Sequence, residues 1–274
     1  YFIMYSPDSA FTGRLPVVGP YPARMTRTRN YEFDFMSCFS KHISDYEKAG
    51  RKGSAANYRS SYRLLLSFLD GQHLTSQHLS ARWVERYERW LRARGVTTNT
   101  VTFHLRNLRA VYNRSVKKRF IPASFPNPFF HLTVRQTVTR KRALSRETIK
   151  RICTADLSAL HPKYSLARDI FMFSFFTRGM SFVYLRSSDI HDGVLTYARH
   201  KTGQMLSMRI EPQLQHIIDR YSNASPYILP ILAKDDSYDN YRQQQRELNK
   251  FIRKIGVLLN IPEPLTFYVA RHSW

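Results

Sequence analysis

Apolar residues recur at helical spacing through the first half of the chain. From about residue 31 to 118 the pattern predicts four helices, a weak one over 31–48 and three stronger ones. Ser54 and Ser80 are the predicted N-caps of the second and third helices, and Gly95 is predicted to end the third. The inward positions of the stronger helices are Tyr58, Tyr62, Leu65, Leu66, Leu69, Trp83, Val84, Tyr87, Trp90, Leu91, Val101, Leu105, Leu108, Tyr112 and Val116. Together these helices predict a small helical domain over 31–120.

The second half mixes two periodicities. Helices are predicted near 145–155 and over 165–176, the latter strongly apolar. Two runs rich in strand-forming residues, 194–199 and 205–210, flank a turn at 201–204, which predicts a β-hairpin. This half therefore predicts an α+β domain over 144–274, and the chain as a whole is expected to be mainly α with a small β-hairpin or sheet.

The remaining segments complete the predicted organisation. Pro212 is predicted to open a helix that ends near Tyr221, and a longer helix follows it. Thr266 is the predicted N-cap of a terminal helix. Residues 1–30, with several Gly and Pro, predict an irregular arm, and the Pro-rich, then basic stretch 121–143 predicts a linker between the two domains.

Net charge narrows the functional class. The 274 residues carry 43 Lys and Arg against 20 Asp and Glu, a formal charge of +23. Such an excess predicts a polyanionic partner, and nucleic acid is the expected one. Between residues 51 and 120 there are fifteen basic residues and three acids, so ion pairing within this segment leaves most cations free. The alternative is that some of these arginines are paired or merely solvated.

The basic residues are expected to form a phosphate-binding surface. Arginines recur at steps of three and four residues, which places basic stripes opposite the apolar ones on the predicted helices. The predicted DNA-binding residues are Arg59, Arg63, Arg106, Arg109, Arg114 and Lys117 in the helical domain, and Arg140, Lys141 and Arg142 in the linker.

Other classes of site find little support in the sequence. Cys38 and Cys153 are far apart and lack metal-ligand spacing, so neither a disulfide framework nor a metal centre is expected, and a reducing cytoplasm fits. Asp235 and Asp236 are the one tight acidic pair, and they are expected to begin a helix, which disfavours a metal-dependent nuclease. No apolar run approaches the length needed to span a bilayer, so no membrane partner is expected.

Several short motifs of the sequence resemble those of one family in both residue identity and order. They are residues 57–59 (Asn-Tyr-Arg), 106–113 (Arg-Asn-Leu-Arg-Ala-Val-Tyr-Asn), 176–182 (Phe-Thr-Arg-Gly-Met-Ser-Phe), 199–204 (Arg-His-Lys-Thr-Gly-Gln) and 268–274 (Tyr-Val-Ala-Arg-His-Ser-Trp). This series resembles the tyrosine recombinases of the phage-integrase family, and most closely the integrases of Bacteroides-type mobile elements. The resemblance covers nearly the whole chain from about residue 31.

The resemblance implies a fold and a reaction. It implies a SAM-like helical core-binding domain, a linker and a catalytic domain, which clamp duplex DNA and assemble as a homotetramer on paired sites. The family cuts and rejoins DNA through a 3′-phosphotyrosine, a reaction that needs cations around the phosphate and an acid for the leaving 5′-oxygen. No metal or other cofactor is expected for it.

Motif positions then assign candidate catalytic residues. Arg271 matches the arginine of the family's His-x-x-Arg-His stretch, and His272 follows it as a packing or orienting residue. Tyr268 stands where the first His of that stretch is expected, and its phenol can donate a hydrogen bond to phosphate. Lys201, in the predicted hairpin turn, matches the lysine that resembles a general acid.

The first active-site arginine is left open by the sequence. The usual wording is Thr-Gly-Leu-Arg-x-x-Glu, and aligning Gly179 with its glycine places Ser181 where arginine is expected. Arg178 is then three residues early. Arg178, Arg186 or Arg199 could supply the charge, or none of them.

Two functions follow as alternatives. The first is a site-specific recombinase whose nucleophilic tyrosine is expected beyond Trp274, so that the chain binds DNA but is catalytically incomplete. The start at Tyr1 rather than Met favours a fragment at that end also. The second is a non-catalytic DNA-binding protein, either a degenerate or a truncated integrase. A helical RNA-binding protein is a more remote possibility.

Overall fold

The chain divides into two compact units, the first ending at Val138 and the second beginning at Thr139. The structure is a computed structural model that describes residues 32–132, 137–138, 142–180, 185–198, 203–222, 226–232 and 235–274. The two units are called the N-terminal and the C-terminal unit.

In its described residues the N-terminal unit contains four helices, as the periodicity predicts. They are α1 (Phe35–Lys48), α2 (Lys52–Leu69), α3 (Ala81–Ala93) and α4 (Thr98–Lys117). Ser80 caps α3, accepting a hydrogen bond from the Trp83 backbone N–H at 3.3 Å, so that prediction is confirmed. The predicted end of α3 is also confirmed, because α3 stops two residues before Gly95, whose φ is +70°.

Ser54 does not cap α2, and that prediction is wrong. The helix begins two residues earlier, at Lys52, so Ser54 lies inside it. The entry to α2 is set by the turn after α1, where Gly50 adopts a φ of +67° and the Arg51 N–H donates to the Tyr46 carbonyl at 2.9 Å. A glycine in the left-handed region reverses the chain here, so no serine cap is needed.

The core of the N-terminal unit combines aliphatic and aromatic side chains. Phe35, Phe39 and Tyr87 are fully buried. Leu66, predicted to face inward, is 47% exposed, because its neighbour Leu65 takes the core position and successive helical side chains point about 100° apart. The buried set includes Ile121 and Phe129, so the start of the stretch expected as a linker packs onto this unit.

The C-terminal unit surrounds one buried helix. Its elements are α5 (Arg146–Thr154), α6 (Lys163–Phe176), a short 3-10 turn (Ser187–Asp189), β1 (Ile190–His191), β2 (Val194–Ala198), β3 (Met205–Arg209), α7 (Pro212–Arg220), α8 (Tyr238–Leu258) and α9 (Phe267–Ser273). The apolar α6 packs against α7, α8 and α9. The predicted hairpin is confirmed by β2 and β3, which pair antiparallel with Ala198 opposite Met205. β1 pairs antiparallel with β2, which gives a three-stranded sheet with the strand order β1-β2-β3. The fold class predicted from the sequence is therefore confirmed.

A buried carboxylate ties α6 to α7. Asp169 accepts hydrogen bonds from Arg168 Nε at 2.9 Å, Arg220 Nη1 at 2.8 Å and the Tyr221 hydroxyl at 2.8 Å. Burial, followed by the neighbouring Asp169 charge, raises the pKa of Tyr221 well above its ordinary value. The phenol therefore stays protonated and continues to donate to the carboxylate.

Removing the buried carboxylate should destabilise the C-terminal unit. Asp169→Ala leaves the Arg168 and Arg220 charges and the Tyr221 hydroxyl without their acceptor, which should lower the free energy of unfolding by about 3 kcal/mol. Urea denaturation followed by circular dichroism measures this change. Asp156→Ala, which removes a carboxylate at an exposed turn, is the control and should have little effect. Equal losses in the two variants would contradict the assigned role of Asp169.

The N-terminal unit should lose stability in mild acid. His42 and His104 are buried, and burial is the main cause that lowers the pKa of each to about 4. In the unfolded chain a histidine titrates near 6.5, so below that pH the unfolded state binds protons that the folded state does not. Stability should therefore fall as the pH drops from about 6.5 to about 4, by roughly 1.4 kcal/mol per unit of pKa difference.

Urea denaturation at several pH values, followed by tryptophan fluorescence, tests this expectation. His104→Gln removes one titrating group and should make the pH dependence shallower by the contribution of one histidine. Parallel stability curves for the wild-type protein and this variant would show that His104 makes no such contribution.

Candidate phosphate site and nucleic-acid interface

The end of α6 is a backbone turn in the left-handed region. Thr177 follows the last helical residue and donates its hydroxyl to the Phe173 carbonyl at 2.7 Å. Arg178 and Gly179 then adopt φ values of +57° and +74°. A left-handed conformation costs a residue with a Cβ on the order of 1 kcal/mol, so the turn holds Arg178 in a strained backbone state.

Gly179 lies directly against Arg271 of α9. A Cβ at Gly179 would stand 2.3 Å from Cγ and 2.8 Å from Cβ of Arg271, far inside van der Waals contact. Only glycine admits this approach, and its positive φ gives a second reason for glycine here. The turn after α6 therefore sets the position of the Arg271 side chain at its root.

Arg178 also contacts α9. Its guanidinium carbon lies 5.2 Å from the centroid of the Trp274 ring, within the range of a cation–π interaction. Trp274 is 65% exposed, so this contact is at the surface. Arg271, three residues earlier in the sequence, is also exposed. The structure thus brings together the two stretches that the sequence assigned to a phosphate site, 177–179 and 268–274.

Two side chains anchor α9 to the rest of the unit. The Phe267 N–H at the start of α9 donates to Asn249 Oδ1 of α8 at 3.2 Å. Thr266 occupies the N-cap position, as predicted, but its side chain makes no capping hydrogen bond, and Asn249 satisfies the helix end instead. At the other end, Ser273 Oγ accepts from the Leu144 N–H at 2.9 Å and donates to the Val269 carbonyl at 2.9 Å.

Tyr268 and His272 form a pair on the exposed side of α9. One helical turn separates them, and their ring centroids lie 4.4 Å apart with the planes nearly perpendicular. Tyr268 is 54% exposed and His272 is also exposed. Both polar groups can therefore reach a ligand bound over this helix, and the ring contact restricts their orientations.

Several predicted site residues lie outside the described part of the chain. These are Lys201, Arg140, Lys141 and the alternative arginine Arg199. Arg142 is described and exposed. Arg186, another alternative, lies over the ring of Tyr227 at 5.6 Å. Of the two described candidates for the first arginine, Arg178 is the one that contacts α9.

In the N-terminal unit a buried polar network joins α2 to α4. Ser61 Oγ accepts from Asn107 Nδ2 at 2.8 Å and bonds His104 Nδ1 at 2.8 Å. The hydroxyl accepts from the amide, and its bond to the ring joins it to a histidine that burial keeps neutral, with the donor set by the tautomer of that histidine. A serine beside a histidine resembles a nucleophile and its base, but both are buried in the core, so their role is structural. In the sequence, the inward helical positions of the two residues are the signal of this structural role.

The predicted DNA-binding arginines lie on the same two helices as this network. Arg59 and Arg63 flank Ser61 on α2, and Arg106 adjoins Asn107 on α4. On α4 the predicted set continues with Arg109, Arg114 and Lys117. Arg63, Arg106 and Lys117 are exposed, and Arg59, Arg109 and Arg114 are half-buried. The network therefore fixes the two helices that carry the basic residues.

Ion pairs divide these cations into two groups. Arg59 pairs with Glu47, and both Arg114 and Lys118 pair with Asp45. Within the described residues, Arg63, Arg106 and Arg109 form no ion pair. The two carboxylates of α1 precede residue 51, so the charge balance of residues 51–120 does not include them, although they neutralise part of the basic surface.

The described residues contain neither a candidate metal centre nor a candidate membrane-spanning helix. Across those ranges, no three His, Cys, Asp or Glu side chains are grouped so that they could hold a metal ion. In the same ranges, every helix is too short or too polar to cross a membrane.

Replacing Gly179 by alanine should destabilise α9 by more than the cost of the left-handed backbone conformation at residue 179. Gly193, with a φ of +71°, is the matched control, because a Cβ there meets nothing within 4 Å. Gly193→Ala should lower the free energy of unfolding by about 1 kcal/mol through backbone strain. Gly179→Ala adds a clash with Arg271 and should lower it by about 2 kcal/mol more, with faster hydrogen exchange in α9. Equal effects at the two glycines would contradict the close approach.

Comparison with known proteins finds a family model that matches part of the chain. A phage integrase SAM-like domain is recognised over residues 34–150. No curated protein matches the sequence.

Solved structures extend the likeness to most of the chain. A lambda integrase tetramer bound to a Holliday junction is 14% identical, with a TM-score of 0.65 over 88% of this chain and 71% of that one. The Tn1549 transposon integrase in complex with transposon right-end DNA is 11% identical, with a TM-score of 0.64 over 88% of this chain and 85% of that one. Residues 34–150 therefore match a phage integrase SAM-like domain, and the fold of the chain is similar to that of the lambda and Tn1549 integrases.

Proposed function

We propose that the chain is a site-specific DNA recombinase, an integrase of a mobile element that cuts and rejoins DNA through a 3′-phosphotyrosine. The observation that carries the proposal is the contact of Gly179 with Arg271, which joins the two stretches expected to hold a phosphate. Arginine suits this role because its guanidinium stays protonated and its planar fork binds two oxygens at once.

Duplex binding rests on the N-terminal unit. The arginines of α2 and α4 lie on helices that the Ser61–His104–Asn107 network joins, so their spacing is fixed. Contacts to phosphates position a protein on DNA without reading its sequence, and arginines at this spacing suit such contacts. In this proposal Arg63, Arg106, Arg109 and Lys117 make the first contacts, and Arg142 with the rest of the basic stretch 140–142 follows the backbone.

Phosphoryl chemistry belongs to the C-terminal unit. Arg271 and Arg178 neutralise charge that builds on the phosphoryl oxygens in the transition state, where fixed donors are most effective. Tyr268 donates a hydrogen bond to the phosphate and His272 orients it, which fits their exposed, edge-to-face pair on α9. Lys201 is proposed to protonate the leaving 5′-oxygen.

The attacking tyrosine is proposed to lie outside these 274 residues. The resemblance places the nucleophile beyond the His-x-x-Arg-His stretch, whereas Tyr268 stands within it, three residues before Arg271. We therefore assign Tyr268 to phosphate binding and regard the chain as binding-competent but catalytically incomplete. A homotetramer on paired DNA sites is proposed for the complete enzyme, in keeping with the lambda integrase tetramer on a Holliday junction.

A non-catalytic DNA-binding protein is the second candidate. Tyr268 in place of the first histidine of the motif favours it, because a phenol with an ordinary pKa near 10 is a poor proton shuttle at neutral pH. Under this proposal the SAM-like domain and the arginines keep their DNA contacts while strand cleavage is lost. The two candidates share DNA binding and differ in covalent chemistry.

DNA affinity should depend steeply on salt. If six or more phosphates are contacted, raising the salt from about 50 to about 200 mM should weaken binding to a duplex on the order of a thousandfold. Fluorescence anisotropy of a labelled duplex measures this loss. A flat salt dependence would contradict binding through phosphates.

The basic face of α2 and α4 should account for that binding. Arg106→Glu should weaken binding to all duplex sequences alike, because phosphate contacts carry no sequence information. Arg92→Glu is the matched control, since it changes the charge equally on α3, where Arg92 pairs with Glu88. The two reversals should differ by about tenfold or more, and equal effects would exclude a specific basic face.

Covalent chemistry should require a tyrosine beyond Arg271. The 274-residue chain should form no protein–DNA adduct on a nicked suicide duplex, whereas a chain extended to the downstream tyrosine should form one. In the extended chain, Arg271→Ala should slow adduct formation by roughly a hundredfold or more. Denaturing gels of labelled DNA give the result. An adduct from the 274-residue chain that Tyr268→Phe abolishes would make Tyr268 the nucleophile.

A further inference from the structure

Two carboxylates occupy an electrostatically unfavourable position on α1. Asp45 and Glu47 lie in or next to its last turn, where the helix dipole presents its negative end. Anions at this end of a helix are destabilising unless cations compensate them. The compensating cations come from other helices of the N-terminal unit, and they belong to the basic surface proposed to bind DNA.

Asp45 binds two cations at the C-terminal end of α4 through a single oxygen. Arg114 Nη2 lies 3.4 Å from Asp45 Oδ2, and Lys118 Nζ donates to the same oxygen. The Lys118 hydrogen bond is the main cause that lowers the pKa of Asp45, so the carboxylate is ionised at neutral pH. The Arg114 guanidinium also lies 5.6 Å from the centroid of the Tyr46 ring, which gives it a second contact on α1.

Glu47 makes the same kind of contact with α2. Its Oε1 accepts from Nη2 of Arg59, and both side chains remain about two-fifths exposed. The two acids of α1 therefore engage three cations: Arg59, Arg114 and Lys118. Arg63, Arg106 and Arg109 lie on the same two helices and form no ion pair within the described residues.

We infer that Asp45 and Glu47 are specificity-determining residues, which occupy Arg59, Arg114 and Lys118 until DNA phosphates displace them. The inference rests on the proposed duplex binding. A carboxylate and a phosphate present similar anionic oxygens to a guanidinium, so one excludes the other. The unpaired arginines attract any duplex, whereas the paired cations are released only where the backbone fits closely enough to replace both carboxylates.

This arrangement weakens non-specific binding more than specific binding. Non-specific affinity arises almost entirely from cations that neutralise phosphates. Cations already neutralised by a carboxylate add little to it. Exposed pairs of this kind are individually weak, so a well-placed phosphate can break them. Neutralising both acids should therefore increase the affinity for arbitrary duplexes.

The test compares two double variants of the 274-residue chain that change the net charge equally. Asp45→Asn with Glu47→Gln removes the acids of α1, and Glu85→Gln with Glu88→Gln removes two acids of α3. Affinity for a duplex of arbitrary sequence is measured by anisotropy across a salt series. The α1 variant should bind on the order of tenfold more tightly at about 150 mM salt, and its slope of log affinity against log salt should steepen by about one or two. The α3 variant should keep the wild-type slope.

A double-mutant cycle separates displacement from a general charge effect. In an Arg59→Ala background, Glu47→Gln should no longer increase affinity, because the cation it would release is gone. Melting curves by circular dichroism verify that each variant is folded, and the single variants Glu47→Gln and Arg59→Ala suffice for the cycle. Equal gains in the two double variants, or a gain from Glu47→Gln that persists without Arg59, would overturn the inference. Failure of the wild-type chain and every variant to bind duplex DNA would overturn the proposed function and this inference with it.

Discussion

The close approach of Gly179 to Arg271 is the constraint on which the candidate phosphate site depends. It requires a residue without a Cβ and a backbone in the left-handed region, and the turn after α6 provides both. That turn stays in place because α6 is buried and its Asp169 is tied to Arg220 and Tyr221. On the other side, Asn249 and Ser273 anchor α9, so the arginine meets the glycine between two fixed elements.

In the N-terminal unit the main constraint is repulsion between positive charges. A basic surface repels itself, and the Ser61–His104–Asn107 network keeps α2 and α4 together beneath it. Part of the repulsion is relieved by Asp45 and Glu47 of α1, at the wrong end of their own helix for an acid. In the proposed function, the same pairs set how many cations are available to DNA, so stability and DNA binding would depend on the same residues.

The local pattern of the sequence predicts the helices and the hairpin well, because each depends on residues a few positions apart. The sequence pattern does not predict β1, because two residues are too few to show an alternation of apolar and polar positions. Leu66 was misplaced because two adjacent leucines compete for one inward position. Interactions between residues far apart in the sequence could not be predicted. Asp45 contacts Arg114, which lies 69 residues away, and no spacing rule relates the two positions. Similarly, the motifs name Gly179 and Arg271, but only the packed structure shows that one limits the other. The catalytic and DNA-binding roles of all the assigned site residues, Lys201, Arg140 and Lys141 included, stay predictions.

The central claim is that Arg178 and Arg271 serve one DNA phosphate while the arginines of α2 and α4 hold others. A crystal structure of the chain bound to duplex DNA tests it most directly. The account predicts that the guanidinium groups of Arg178 and Arg271 lie within hydrogen-bonding distance of the same backbone phosphate, with Arg63 and Arg106 on further phosphates. A duplex held by the N-terminal unit alone, with Arg178 still over Trp274 and Arg271 in solvent, would contradict it.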